Sequence, residues 1–160
     1  MVAKQCNEIT KKIKDILSND ETIKNLLFYA NQKSSLTPDS QQILNDQYIT
    51  DYPVILEAND KFSLINAYYD NSVIENNIYV STFKVSCGVS LDAYHLDNGD
   101  VRVLLMADRI EELLSGKRLC NSTGVFELVN INTVYWNSYV TGVSLIFQVV
   151  EQGDLNETVI

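Results

Sequence analysis

The apolar residues Val103, Met106, Ala107, Ile110, Leu113 and Leu114 fall at i, i+3, i+4, i+7, i+10 and i+11, a spacing that an α-helix gathers onto one broad side. Arg102, Arg109 and Glu112 fall outside that stripe and are expected on the exposed side. Upstream, Asp97-Asn98-Gly99-Asp100 is a turn signal that leaves Asp100 as the expected helix cap. Downstream, Gly116 stands where a left-handed helix end is wanted, and Lys117 and Arg118 complement the negative end of the helix. Residues 78–89 precede this unit and alternate. Tyr79, Phe83, Val85, Cys87 and Val89 share one face, and Thr82, Lys84 and Ser86 share the other, as in an antiparallel sheet with one buried side. Residues 77–119 therefore read as strand, polar loop and returning helix, the unit that the rest of the chain must pack around.

Helices are expected first. Val2, Cys6, Ile9, Ile13 and Leu17 recur at three and four, giving one helix with a narrow apolar stripe. Asp20 is placed to cap a second short helix through Ile23, Leu26, Leu27 and Ala30. Thr37-Pro38-Asp39 has the chemistry of a helix start and predicts a third helix over residues 38–46, with Thr37 as cap and Ile43 and Leu44 as its large apolar side chains. Tyr52-Pro53 then forces extended backbone. Residues 61–69 alternate aromatic and aliphatic and predict a strand, with residues 70–76 as a polar turn. Residues 124–128, 130–136 and 139–150 are three further extended runs. The last is apolar on both faces, which places it centrally in the sheet with its second face covered. The expected architecture is α+β: an antiparallel sheet of about four strands packed against an amphipathic helix, with N-terminal helices. Residues 1–50 form the helical segment, residues 51–151 the α+β core of the same domain, and residues 152–160 an acidic C-terminal tail.

At 160 residues the chain suits one domain, long enough to bury roughly 70% of its unfolded surface. Lysine and arginine number 12 against 21 aspartates and glutamates, a net charge of -9 that argues against a nucleic-acid clamp, which needs a basic footprint. No apolar run reaches the roughly 20 residues of a membrane helix, and the first residues lack a signal-peptide core, so a soluble, membrane-free product of the cytoplasm is expected. Cys6, Cys87 and Cys120 are odd in number and widely spaced, which suits a reducing compartment.

Catalytic groupings do not emerge. His95 shares its loop with Asp92, Asp97 and Asp100, yet no nucleophile or second ligand stands at a matching spacing, and the loop lacks the calcium-binding pattern. Cys87 lies on the expected buried face of a strand, where cysteine behaves as a small apolar side chain. Tyr68-Tyr69 and Tyr135-Trp136 could stack on a base or sugar, but aromatics in strands serve packing and subunit contact more often. The expectation is a protein that is not an enzyme and uses no cofactor or metal.

Three pieces of the chain resemble a known group. DETIKNLLFYANQ with the later YITDYPVI is similar to a helix ending in a leucine and tyrosine run, a polar loop and an extended segment. NIYVSTFKVSCGVSLDAYHLDNGDVRVLLMADRIEELLSGKRL is similar to a strand, an aromatic-bearing loop and a helix with an early arginine. GVFELVNINTVYWNSYVTGVSLIFQVVEQGD is similar to closing strands that lead to an acidic tail. Together they resemble the bacteriophage neck and tail ring proteins: tail terminators, tail completion proteins and head-tail connectors. The resemblance implies a structural virion protein, made in the host cytoplasm, that forms a homo-oligomeric ring of about six or twelve copies by head-to-tail contact. It implies portal, adaptor or tail tube proteins as partners, and DNA passing through the channel without specific binding. Arg102, Arg109, Tyr94, His95, Glu151 and Asp154 are the expected subunit-interface residues. Two other readings stay open: an assembly adaptor or chaperone absent from the finished particle, and a small-molecule enzyme using the loop at residues 90–100.

Overall fold

The computed structural model describes residues 2–28, 39–56, 61–121 and 124–152. Helix α1 (Val2–Asn19) buries Cys6, Ile9, Ile13 and Leu17, the stripe its spacing predicts. Asp20 ends it and starts α2 (Glu21–Phe28): its carboxylate accepts the Ile23 amide at 3.0 Å, and Ile23, Leu26 and Leu27 turn inward. Ala30, expected to extend this helix, lies outside the described residues. Helix α3 (Ser40–Asn45) starts later than expected, because Asp39 rather than Thr37 supplies the cap, accepting the Gln41 amide at 3.1 Å. Thr37 and Pro38 lie outside the described residues.

The sheet has the strand order β1-β2-β3-β5-β4, formed by β1 (Ile49–Thr50), β2 (Ser63–Glu75), β3 (Ile78–Ser90), β4 (Glu127–Asn137) and β5 (Val140–Gln152). The two-residue β1 runs parallel to β2, and every other pairing is antiparallel. Strand β5 holds the expected inner position, between β3 and β4. The expected turn at residues 70–76 is instead strand. The alternating chain continues through Val73 and Ile74, a bulge between Tyr69 and Asn71 absorbs the extra residue, and Asn76 and Asn77 alone make the turn. Both asparagines have positive φ, 48° and 64°, the backbone that suits a two-residue hairpin to the twist of its strands. The runs at 124–128 and 130–136 likewise merge into β4, their break reduced to a bulge between Leu128 and Asn130.

Helix α4 (Arg102–Leu114) lies on the sheet and buries Val103, Met106, Ala107, Ile110 and Leu114. Its cap position is Val101, not Asp100; Asp100 is held one turn earlier by Asn98, whose side chain both donates to its carboxylate and accepts its amide. The helix ends as its sequence predicts, with Gly116 at φ +75°.

The main core lies between the helices and one face of the sheet, where Phe83, Val85, Cys87 and Val89 meet Leu145, Phe147 and Val149. Phe126 joins Phe83 and Phe147 at centroid distances of 5.5 and 4.7 Å. Burial of each such side chain contributes about 1.5–3 kcal/mol, more than an exposed ion pair at about 0–1 kcal/mol, so packing holds this layer together. The second face of the sheet is drier than the alternation predicts. Ser86 is buried there and donates to Ser144 at 2.9 Å. Chain following Pro53 folds across the sheet, setting Leu56 against Leu64 and Val140, with Val54 and Trp136 packed beside them. Trp136 lies so close over Gly88 that a Cβ there would come within 2.8 Å of its ring.

Candidate functional site

The loop ahead of α4 is a closed unit. A short 3-10 turn (Leu91–Ala93) follows β3, His95 bridges to Val101, and the Leu96 amide donates to Asp100 O at 2.8 Å. Arg102, expected on an exposed surface, is the organising residue of the interior instead, with no exposed surface at all. Its Nε donates to Ala93 O at 2.9 Å and its Nη1 to Leu26 O at 2.7 Å, while the guanidinium lies 5.0 Å from the centre of the Phe62 ring. Leu26 O belongs to the last turn of α2, where carbonyls lack helical partners and the dipole is negative, so a buried arginine is well matched there. Burial works to lower the pKa of Arg102 and the charge of Asp97 works against that; an arginine stays cationic in either case. One side chain thus ties the end of α2, the loop and the start of α4 together.

Arg109 lies two turns further along α4 and meets acids of its own chain. It takes Asp20 through both Nε and Nη2, the closest contact 2.6 Å, and Glu112 at 2.8 Å. Asp20 therefore caps α2 and anchors α4 together. Burial tends to raise its pKa, but the Arg109 hydrogen bonds and charge and the Ile23 amide outweigh that and hold it below the usual value.

Of the other expected interface residues, Tyr94 is half-buried against the core, and its carbonyl accepts the Arg102 amide at 2.9 Å. His95 is exposed, edge-on to Tyr94 at 4.9 Å. Glu151 lies in β5, half-buried opposite Tyr79 at the far end of the strand from the loop, and the strand also takes in Gln152, expected as the first residue of the tail. Asp154 lies outside the described residues. The structure thus gathers Tyr94, His95 and Arg102 at one end of the sheet and leaves Glu151 at the other. Cys87 is fully buried and burial pushes its thiol up to about 12, far from a nucleophile at neutral pH. Among the described residues no cluster of three His, Cys, Asp and Glu side chains converges as a metal site.

The large apolar side chains that the fold leaves most open lie elsewhere. Tyr69, Val73 and Ile74 of β2 and Val129, Ile131 and Tyr135 of β4 are large apolar side chains left exposed, on the two outer long strands of the sheet. The signal was present in LVNINTVYWN, residues 128–137, which is rich in β-branched and aromatic residues and holds no charged residue. A long edge strand with no proline, and with no charge past its first residue Glu127, is the kind that pairs with other chains.

The fold is an α+β sheet with helices packed on one face and exposed apolar side chains on its two outer long strands. Among solved structures, it is similar to a chain from the "Virion of native gene transfer agent (GTA) particle", with TM-score 0.54 at 11% identity, covering 92% of this chain and 96% of that one. At that identity the likeness is one of fold. The sequence matches the model of the YomW family over residues 20–149, and the chain belongs to that family. No curated protein matches the sequence.

Proposed function

We propose that this protein is a structural component of a phage-type virion, a subunit of a ring at the head-tail junction or the tail that joins portal to tail and lets DNA pass. The observation that carries the reading is the likeness, nearly end to end, to a chain of a gene transfer agent virion. Exposed apolar side chains on both outer long strands support it, since a subunit meant to meet copies and neighbours must keep such surface open. The net charge of -9 suits a wall past which DNA slides without being held. The proposal assigns the chain no catalysis: its buried thiol and buried arginine serve packing. Mass spectrometry of purified particles is the test, followed by a reconstruction that places the chain at the neck or tail. Complete, infectious particles that lack the polypeptide would overturn the reading.

A further inference from the structure

The sheet ends in two bare strand edges that fit one another. Strand β1 covers only Ile65 and Asn66 of β2, so the outer edge of β2 beyond them has no strand partner among the described residues. On that stretch Tyr69, Asn71, Ser72, Val73, Ile74 and Glu75 are in ladder register, with Asp70 held out in the bulge and paired to Lys84 at 3.5 Å. At the other end, β4 has no outer strand neighbour among the described residues, and between its two bulges lie residues 130–135, six in regular ladder geometry. Six positions face six.

Direction agrees as well. Strands β2, β3, β5 and β4 alternate, so β4 runs opposite to β2. A second copy set beside the first in the same orientation therefore brings its β2 antiparallel to the first copy's β4. Aligned from Tyr69 opposite Tyr135 to Glu75 opposite Asn130, the side chains match. On the helix side, Tyr69 meets Tyr135, Ser72 meets Thr133 and Ile74 meets Ile131; on the other side, Asn71 meets Val134, Val73 meets Asn132, and Glu75 meets Asn130. No like charges oppose. Of these, Tyr135 is 84%, Ile74 61%, Ile131 50% and Tyr69 40% exposed, so the four apolar side chains left in water by one chain become two pairs between chains. Directly opposed aromatic and β-branched pairs are the unit that stabilises antiparallel sheets.

We propose that β4 of one copy pairs antiparallel with the distal half of β2 of the next, in this register, so that copies join head to tail into one continuous sheet with all helices on one side. The inference rests on the ring reading above and names its contact. Such an interface repeats with the same hand and closes when its rotation fits.

Cysteine pairing tests it. In a Cys120→Ser background, which removes the exposed native thiol, Ser72→Cys and Thr133→Cys are made in separate chains, mixed and oxidised. The mixture is expected to give a covalent dimer on a non-reducing gel, and a chain carrying both changes a ladder of multimers. Within one chain the two positions are three strand spacings apart across the sheet, about 14 Å, and six residues apart along it, too far for an internal bridge. Adding Ile131→Glu, at a half-exposed position, should abolish the link while leaving the circular dichroism spectrum unchanged. A link in the Thr133→Cys chain alone would mean two-fold β4 pairing and overturn the proposal, as would no link in the mixture both in concentrated solution and in particles. Particles that contain the chain without the link sink the pairing and leave the virion reading standing. A link in purified protein, with the chain absent from particles, does the reverse.

Discussion

Replacing Arg102 separates its structural role from simple packing. Arg102→Met keeps most of the volume but leaves Ala93 O and Leu26 O without these donors, in a region closed to water. A buried polar group stripped of its partner costs about 1–3 kcal/mol, and two such carbonyls give about 2–6 kcal/mol. Loss of the desolvated contact with the Phe62 ring adds roughly 2 kcal/mol, and relief of the burial cost of the charge offsets part of the sum. A net loss of about 2–5 kcal/mol is expected, a large share of the roughly 5–15 kcal/mol that holds a domain folded. Urea denaturation followed by circular dichroism measures it, with an unchanged m-value showing that the unfolded reference is the same. Hydrogen exchange should rise first at the end of α2 and in the loop at residues 91–96, the two segments the guanidinium joins. Arg102→Lys should recover only part of the stability, since an ammonium lacks the fork that reaches two carbonyls in different directions. If Arg102→Met costs less than about 1 kcal/mol, the guanidinium is not the tie described here.

Asp20 is expected to set an acid limit. Its pKa is below the unfolded value, so its contribution is complete above about pH 3.8 and is lost as pH falls through the lower folded value; Asp20→Asn, unfolded by urea across pH 2–7, should flatten that part of the profile. Gly88→Ala should lower stability by about 1–3 kcal/mol by driving a methyl into the Trp136 ring, and a thermal melt in which Gly88→Ala matches the parent would disprove the contact.

The parts of the fold set by local pattern were readable from the chain. Cys6, Ile9, Ile13 and Leu17 gave α1, and Val103 to Leu114 gave α4, because a helical stripe is a property of spacing alone. Arg102 was not readable: its angular position puts it on the flank of α4, and only the packing of α2 and the loop over that flank makes it interior. Polar residues around Asn71 and Ser72 hid the continuation of β2, although Val73-Ile74 ahead of two asparagines marked the true turn. The continuity of β4 is hidden because a bulge at Val129 breaks alternation without ending a strand. The exposed β4 edge was legible as composition, β-branched and uncharged after Glu127, while its position at the rim depended on a strand order that no local pattern encodes.

Gly88 and Gly142 face one another on neighbouring strands, and the indole of Trp136 fills the notch that their missing side chains leave. This is the only tryptophan of the chain, so the protein carries its own optical gauge of the outermost long strand. Any event that lifts the end of β4 away from β5 moves the fluorophore from a glycine-floored seat into solvent. Its emission colour therefore follows fraying of that strand without a label.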